Sequence, residues 1–93
     1  MDNTKINKLR NAINDYKMKS RNDSLALAYL KNLVDSFGKI GLELKPYSFW
    51  LYYDQDENLI YDRGVIKDKV DENHSMSVLD LIYTFRDDIR IYD

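Results

Sequence analysis

A single α+β domain, ordered helix, helix, β-hairpin, helix, is what the 93-residue sequence predicts, and three observations carry that reading. Apolar residues recur with helical spacing as far as Phe37. After Pro46, the only proline, the period changes to that of a short aromatic strand. A helical pattern with an N-terminal capping signal then returns at Ser77. Neither repeats, low-complexity tracts nor a flexible linker interrupt the chain, so residues 1–93 read as one domain.

The first helix is predicted from Asn3 to about Lys19, where Ile6, Leu9, Ile13 and Tyr16 share one face with Ala12 between them. A polar break follows, in which Asp23 or Ser24 can cap the second helix by accepting from its free amides. That helix runs from Ser24 to Phe37, and its apolar positions sweep roughly 200° of a wheel, the mark of a helix covered on more than one side. Gly38 sits where a C-cap with positive φ is wanted, and Gly41 reads as a second break. Tyr47 to Tyr53 reads as a strand, Asp54 to Asn58 as a hairpin loop, and Leu59 to Arg63 as the returning strand ended by Gly64. Ser77-Val78-Leu79-Asp80 resembles a capping box, and the third helix is predicted to reach Arg90, burying Val78, Leu81, Ile82, Phe85 and Ile89. The final Arg90-Ile91-Tyr92 alternates and could end as a short strand.

Composition removes whole classes of function. With no cysteine, a disulfide framework, a thiolate metal site, a redox centre and a cysteine nucleophile are all excluded. The apolar runs fall far short of the ~18 to 20 residues a membrane span needs, and the polar N-terminus does not resemble a signal peptide. A cytoplasmic protein without membrane contact is expected. His74 is the only histidine and lies among polar residues, so no catalytic residue and no two-histidine metal site is assigned. No glycine-rich loop is present to cradle a phosphate, and no cofactor is expected. Asp54-x-Asp56-x-Asn58 matches the opening of a calcium loop, but Leu59 stands where its glycine belongs and Val65 where its bidentate Glu belongs; a polar hairpin loop is the better account. Lys, Asn, Ile and Tyr supply 33 residues against 12 from Gly, Ala, Pro and Arg, which by codon usage points to an AT-rich genome such as that of a low-GC bacterium, phage or mobile element.

The net charge of −2 hides an asymmetry: residues 1–46 carry 9 basic and 5 acidic side chains, residues 47–93 carry 5 basic and 11 acidic. On a wheel, Lys5, Lys8 and Lys19 flank one side of the first helix's apolar stripe and Arg10 and Lys17 the other. That is the arrangement of stems laid along a core edge rather than of a row facing phosphates. On the acidic side, Asp80, Asp87 and Asp88 are expected on one face of the third helix and Asp54, Asp56 and Glu57 in the hairpin loop. Together they form a negative surface suited to a basic partner.

The densest signal is aromatic, since five of twelve aromatic residues fall between Tyr47 and Tyr53. Alternation sends Tyr47, Phe49, Leu51 and Tyr53 to one face and Ser48, Trp50 and Tyr52 to the other, so both faces are apolar or aromatic. Either the third helix covers the Trp50/Tyr52 side, or that side is an exposed patch of interface-forming residues, joined by Tyr61 or Ile60 according to register. Stacking of single-stranded bases also uses aromatics on a sheet but wants cations beside them, whereas this hairpin supplies Asp54, Asp56, Glu57 and Asp62. The sequence therefore predicts a non-enzymatic interaction protein that binds a protein partner through Trp50, Tyr52, Tyr61 and the acidic residues named above, in the manner of an inhibitor, immunity protein or adaptor. A nucleic-acid-associated protein using the basic first helix and a homodimer joined by the hairpin are the alternatives.

Overall fold

Two helices, a four-stranded meander, a third helix and a closing strand follow one another along residues 3–92, which the computed structural model describes. In order they are α1 (Asn3–Lys19), α2 (Asp23–Phe37), β1 (Lys39–Leu42), β2 (Phe49–Tyr53), β3 (Leu59–Asp62), β4 (Lys67–Lys69), a 3₁₀ turn (Glu72–His74), α3 (Ser75–Thr84) and β5 (Arg90–Tyr92). The class is the α+β domain that the sequence predicts, with three strands more than the predicted hairpin.

The helices form for the reasons their spacing implies. Leu9 and Ile13 of α1 are completely buried, as are Ala26, Leu30 and Leu33 of α2, and Tyr16 stacks flat on Tyr29 where the two helices meet, ring centres 4.4 Å apart. The cap of α2 is Asn22, not Asp23 or Ser24. Its backbone is extended, and its side-chain oxygen accepts from the Leu25 amide at 2.8 Å. The two residues expected to cap are used across the fold instead: the Asp23 carboxylate accepts from the Met76 amide at 3.0 Å, and the Ser24 hydroxyl donates to Glu72. Both tie the start of α2 to the start of α3. Gly38, at φ +78°, closes α2 by donating its amide to the Val34 carbonyl, a backbone conformation that a residue with a Cβ rarely adopts.

The stretch read as a second break is strand β1. It pairs antiparallel with β2 through Ile40–Leu51, Gly41–Trp50 and Leu42–Phe49. The sheet order is β4-β3-β2-β1-β5, every neighbour antiparallel, so the aromatic strand lies at the centre. One face presents Ile40, Leu42, Phe49, Leu51 and Leu59 to the buried side chains of all three helices, and this is the core. Phe49 tilts on Tyr61 there, and Tyr47 on Phe85.

The third helix departs most from expectation. It begins at Ser75, a turn earlier than the capping-box reading, because the 3₁₀ turn before it is capped by Asp71, which accepts from the Asn73 amide at 2.8 Å. It ends at Thr84 rather than Arg90. The chain then turns through Phe85–Asp88 and sends Arg90–Tyr92 back along β1. Arg10 of α1 holds that turn, its guanidinium donating to the carbonyls of Arg86 at 3.1 Å and Asp87 at 2.8 Å. Leu79 and Ile82 are its buried core residues; Val78, Leu81 and Phe85 are only half-buried. Among the described residues no helix is long and apolar enough to cross a membrane.

Candidate functional site

The second face of the sheet decides where function is sought. Cross-strand register places Trp50 opposite Gly41 and Asp62, and Tyr52 opposite Ile60. None of Trp50, Tyr52, Ile60 or Tyr92 belongs to the core cluster or packs against it, because α1, α2 and α3 all lie on the other side. Helix α3 therefore does not cover the Trp50/Tyr52 side, and among the described residues no element does.

This open face has its own packing. Trp50 leans across β1 onto Gly41; a Cβ built there would stand 2.6 Å from the indole Cδ1 and 2.6 Å from the Phe49 carbonyl oxygen, so the strand carries a glycine where the ring needs room. The Tyr52 hydroxyl donates to Asp62 at 2.8 Å, and the other Asp62 oxygen accepts from the Gly64 amide at 2.7 Å. Asp62 is only 8% exposed. Burial by itself would raise its carboxyl, but the Gly64 amide, the Tyr52 hydroxyl and the charges of Lys67 and Lys39 outweigh burial and hold it below the usual 3.8. The same bond raises the Tyr52 phenol. Lys39 lies over the Tyr52 ring, 5.0 Å from its centre.

The sequence-derived site residues divide. Trp50 and Tyr52 come together here. Tyr61 points to the opposite face, where it meets Phe49 and lies under Arg63. Asp54 organises the hairpin loop: its carboxylate accepts from the amides of Asp56 and Asn58, both at 2.9 Å, and the Asn58 amide bond is the chief cause of its lowered pKa. Asp56 and Glu57 are exposed at the loop tip, with Glu57 at φ 62°. Asp80 is ion-paired to Lys17 of α1, on the helical side. Asp87 and Asp88 do not share a helix face with Asp80, since α3 has ended before them. The acidic residues thus form no single surface bordering the aromatic pair.

Three residues that the sequence did not mark also stand on this face: Lys39 from β1, and Lys67 and Lys69 from β4. They lie outside the hairpin, on the strands just before and just after it, and the strand order sets them beside it.

A groove of about 690 Å³ lies elsewhere, between α3 and the β3–β4 edge, floored by Tyr61, Val70, Val78 and Leu81. Its rim pairs Arg63 with Asp68 at 3.5 Å and His74 with Asp71 at 3.2 Å, and Lys69 and Ser77 also line it.

Fold and face together define an α+β domain with a one-sided sheet whose uncovered aromatic side is its candidate binding surface. Compared with known families, curated proteins and solved structures, the chain matches none.

Proposed function

We propose that the protein is a non-enzymatic binding module of the cytoplasm, and that a macromolecular partner occupies the open face of its sheet. One observation carries the reading: an aromatic pair, Trp50 and Tyr52, lies only partly buried at the centre of the sheet on the side away from all three helices. Rings of this kind, held rigid by a glycine seat and a hydroxyl–carboxylate bond, give large contact area with little ordering entropy left to lose.

The basic first helix is the competing surface, and its side chains argue against it. Arg10 is bound to the α3–β5 turn, Lys17 to Asp80 and Lys19 to Asp15 at 3.0 Å, so three of its cations already serve the fold.

The test is affinity capture from a lysate of the source organism, comparing wild type, Trp50→Ala with Tyr52→Ala, and Lys8→Ala with Lys19→Ala. The open-face variant is expected to lose what the wild type retains while its far-UV circular dichroism is unchanged. The helix variant is expected to keep it. Loss by the helix variant alone would move the site to α1.

A further inference from the structure

Turn residues usually serve bending and solvation, and the β3–β4 turn departs from that rule. Gly64 supplies the bend at φ +90°, but Val65 and Ile66 follow it, one 96% and the other 49% exposed. Val65 is the most exposed large apolar side chain among the described residues, so it buries almost none of its surface in its own chain. The turn that carries it is nonetheless fixed. Arg63 donates its amide to the Ile66 carbonyl at 2.9 Å, and the Gly64 amide donates to the Asp62 carboxylate at 2.7 Å. An apolar tip is thus held out into water in one shape.

The groove between α3 and the β3–β4 edge is its counterpart. About 690 Å³ in volume, it is floored by Tyr61, Val70, Val78 and Leu81, and neither Val65 nor Ile66 lines it. Val70 stands four residues beyond Ile66, about 13 Å along the strand, so a copy's own tip does not reach that end of the groove. Around the groove Arg63 and Lys69 balance Asp68 and Asp71, which leaves no net charge to select an ion. The tip, Gly64-Val65-Ile66, carries no charge either, so it enters such a groove without stripping water from an ionised group.

We propose that the occupant of the groove is a second copy of this chain, with Val65 and Ile66 of each copy seated on Val70 and Val78 of the other. Two copies lying side by side with their β4 strands in opposite directions bring each tip to the far end of the other's groove. That is a closed two-fold pair, and an uncharged apolar tip beside a charge-balanced apolar groove is the self-complementary surface it requires. Side chains make this contact. Direct backbone pairing of the two β4 strands in centred register would set Asp68 against Asp68, which is repulsive. The groove lies on the helical side of the sheet, so the pair leaves both open faces uncovered, and the proposal does not depend on what those faces bind. Two apolar side chains from each copy are a small core beside the roughly 20–30 residues a side of a standard interface, so the pair is reversible and forms at tens of micromolar.

The experiment is sedimentation velocity of the full chain from about 5 µM to about 1 mM, where mass action should reveal the pair. The mass is expected to rise from one chain to two and stop there. Val65→Asp, at a position with almost nothing to lose in the monomer, is expected to weaken the pair about tenfold or more while the thermal melt of the dilute protein is unchanged. The chain has no cysteine, so single thiols can be placed at will: a mixture of Val65→Cys and Ser77→Cys proteins, one at the tip and one at the groove rim, is expected to cross-link through a short bismaleimide in far higher yield than either alone. A wild-type chain that stays monomeric at the highest concentration overturns the proposal, as does a mass that climbs beyond two or a dimer that Val65→Asp leaves intact. A dimer kept by Val65→Asp but lost in Trp50→Ala with Tyr52→Ala would overturn it in favour of a contact on the open face.

Discussion

The two faces of the sheet are made from the same five strands, yet they obey different rules. On the covered face, Ile40, Leu42, Phe49, Leu51 and Leu59 meet three helices, and their fit is set by close packing against Leu9, Leu30, Leu33, Leu79 and Ile82. On the open face, no element among the described residues forms a second layer, and the side chains are held by each other: Trp50 on Gly41, Tyr52 on Asp62, Lys39 over Tyr52. The difference teaches that an aromatic strand can be read as core from one side and as surface from the other, and that alternation alone does not say which side is which.

The sharpest way to break this comparison is to empty one position on each face. Phe49→Ala on the covered face is expected to cost about 3–5 kcal/mol of unfolding free energy, and Trp50→Ala on the open face roughly half that or less, both measured by urea denaturation with circular dichroism. Equal losses would mean that the open face is core in all but name. Next in size is Gly41→Val, where the added side chain meets the Phe49 carbonyl as well as the Trp50 ring. A loss of about 1–3 kcal/mol is expected, together with a shift in tryptophan emission as the indole is displaced.

A smaller effect tests the polar link on the open face. Tyr52→Phe is expected to cost about 1 kcal/mol, since Asp62 keeps the Gly64 amide. The pH dependence has two arms. Asp62 is lowered in the fold, so its contribution is present above the ordinary carboxylate value and fades as pH falls through its folded pKa. Tyr52 is raised, so its contribution is present below its ordinary value of 10.0 and fades as pH rises through its folded pKa. In Tyr52→Phe the alkaline loss attributable to this phenol should vanish and the acid arm should shrink, which a pH series of urea melts will show. The smallest effect belongs to Lys39→Glu with Lys69→Glu, about 1 kcal/mol or less in stability, most of it from Lys39 leaving the Tyr52 ring. A large loss there would mean that these lysines hold the sheet together.

How much of this was legible depended on whether the signal was local. The helices α1 and α2, the hairpin of β2 and β3, and the pairing of Trp50 with Tyr52 follow from spacing and alternation. Strand β1 escaped because Gly38 and Gly41 bracket two residues and imitate a break; Gly41 is there to seat an indole from another strand, which no local pattern reveals. Strand β4 is Lys-Asp-Lys, with no apolar residue to announce it, and owes its strand form to pairing with β3. The early end of α3 is a tertiary effect too, since Arg10, distant in sequence, holds the turn that redirects the chain. The site was half legible for the same reason: its rings are adjacent in sequence, while its cations reach it from strands that precede and follow the hairpin.

The position of β2 in the sheet has one more consequence. Phe-Trp-Leu-Tyr-Tyr is an uncharged, proline-free segment of high strand propensity, the composition most prone to recruit copies of itself into fibres. Here it is an inner strand, paired with β1 at residues 49–51 and with β3 at residues 50–53. The two outer strands are three residues each and bring Lys67, Asp68 and Lys69 at one border and Arg90 at the other. Short, charged borders offer little template for another chain, so the fold that exposes aromatic rings on its surface also keeps the strand that bears them from growing into amyloid.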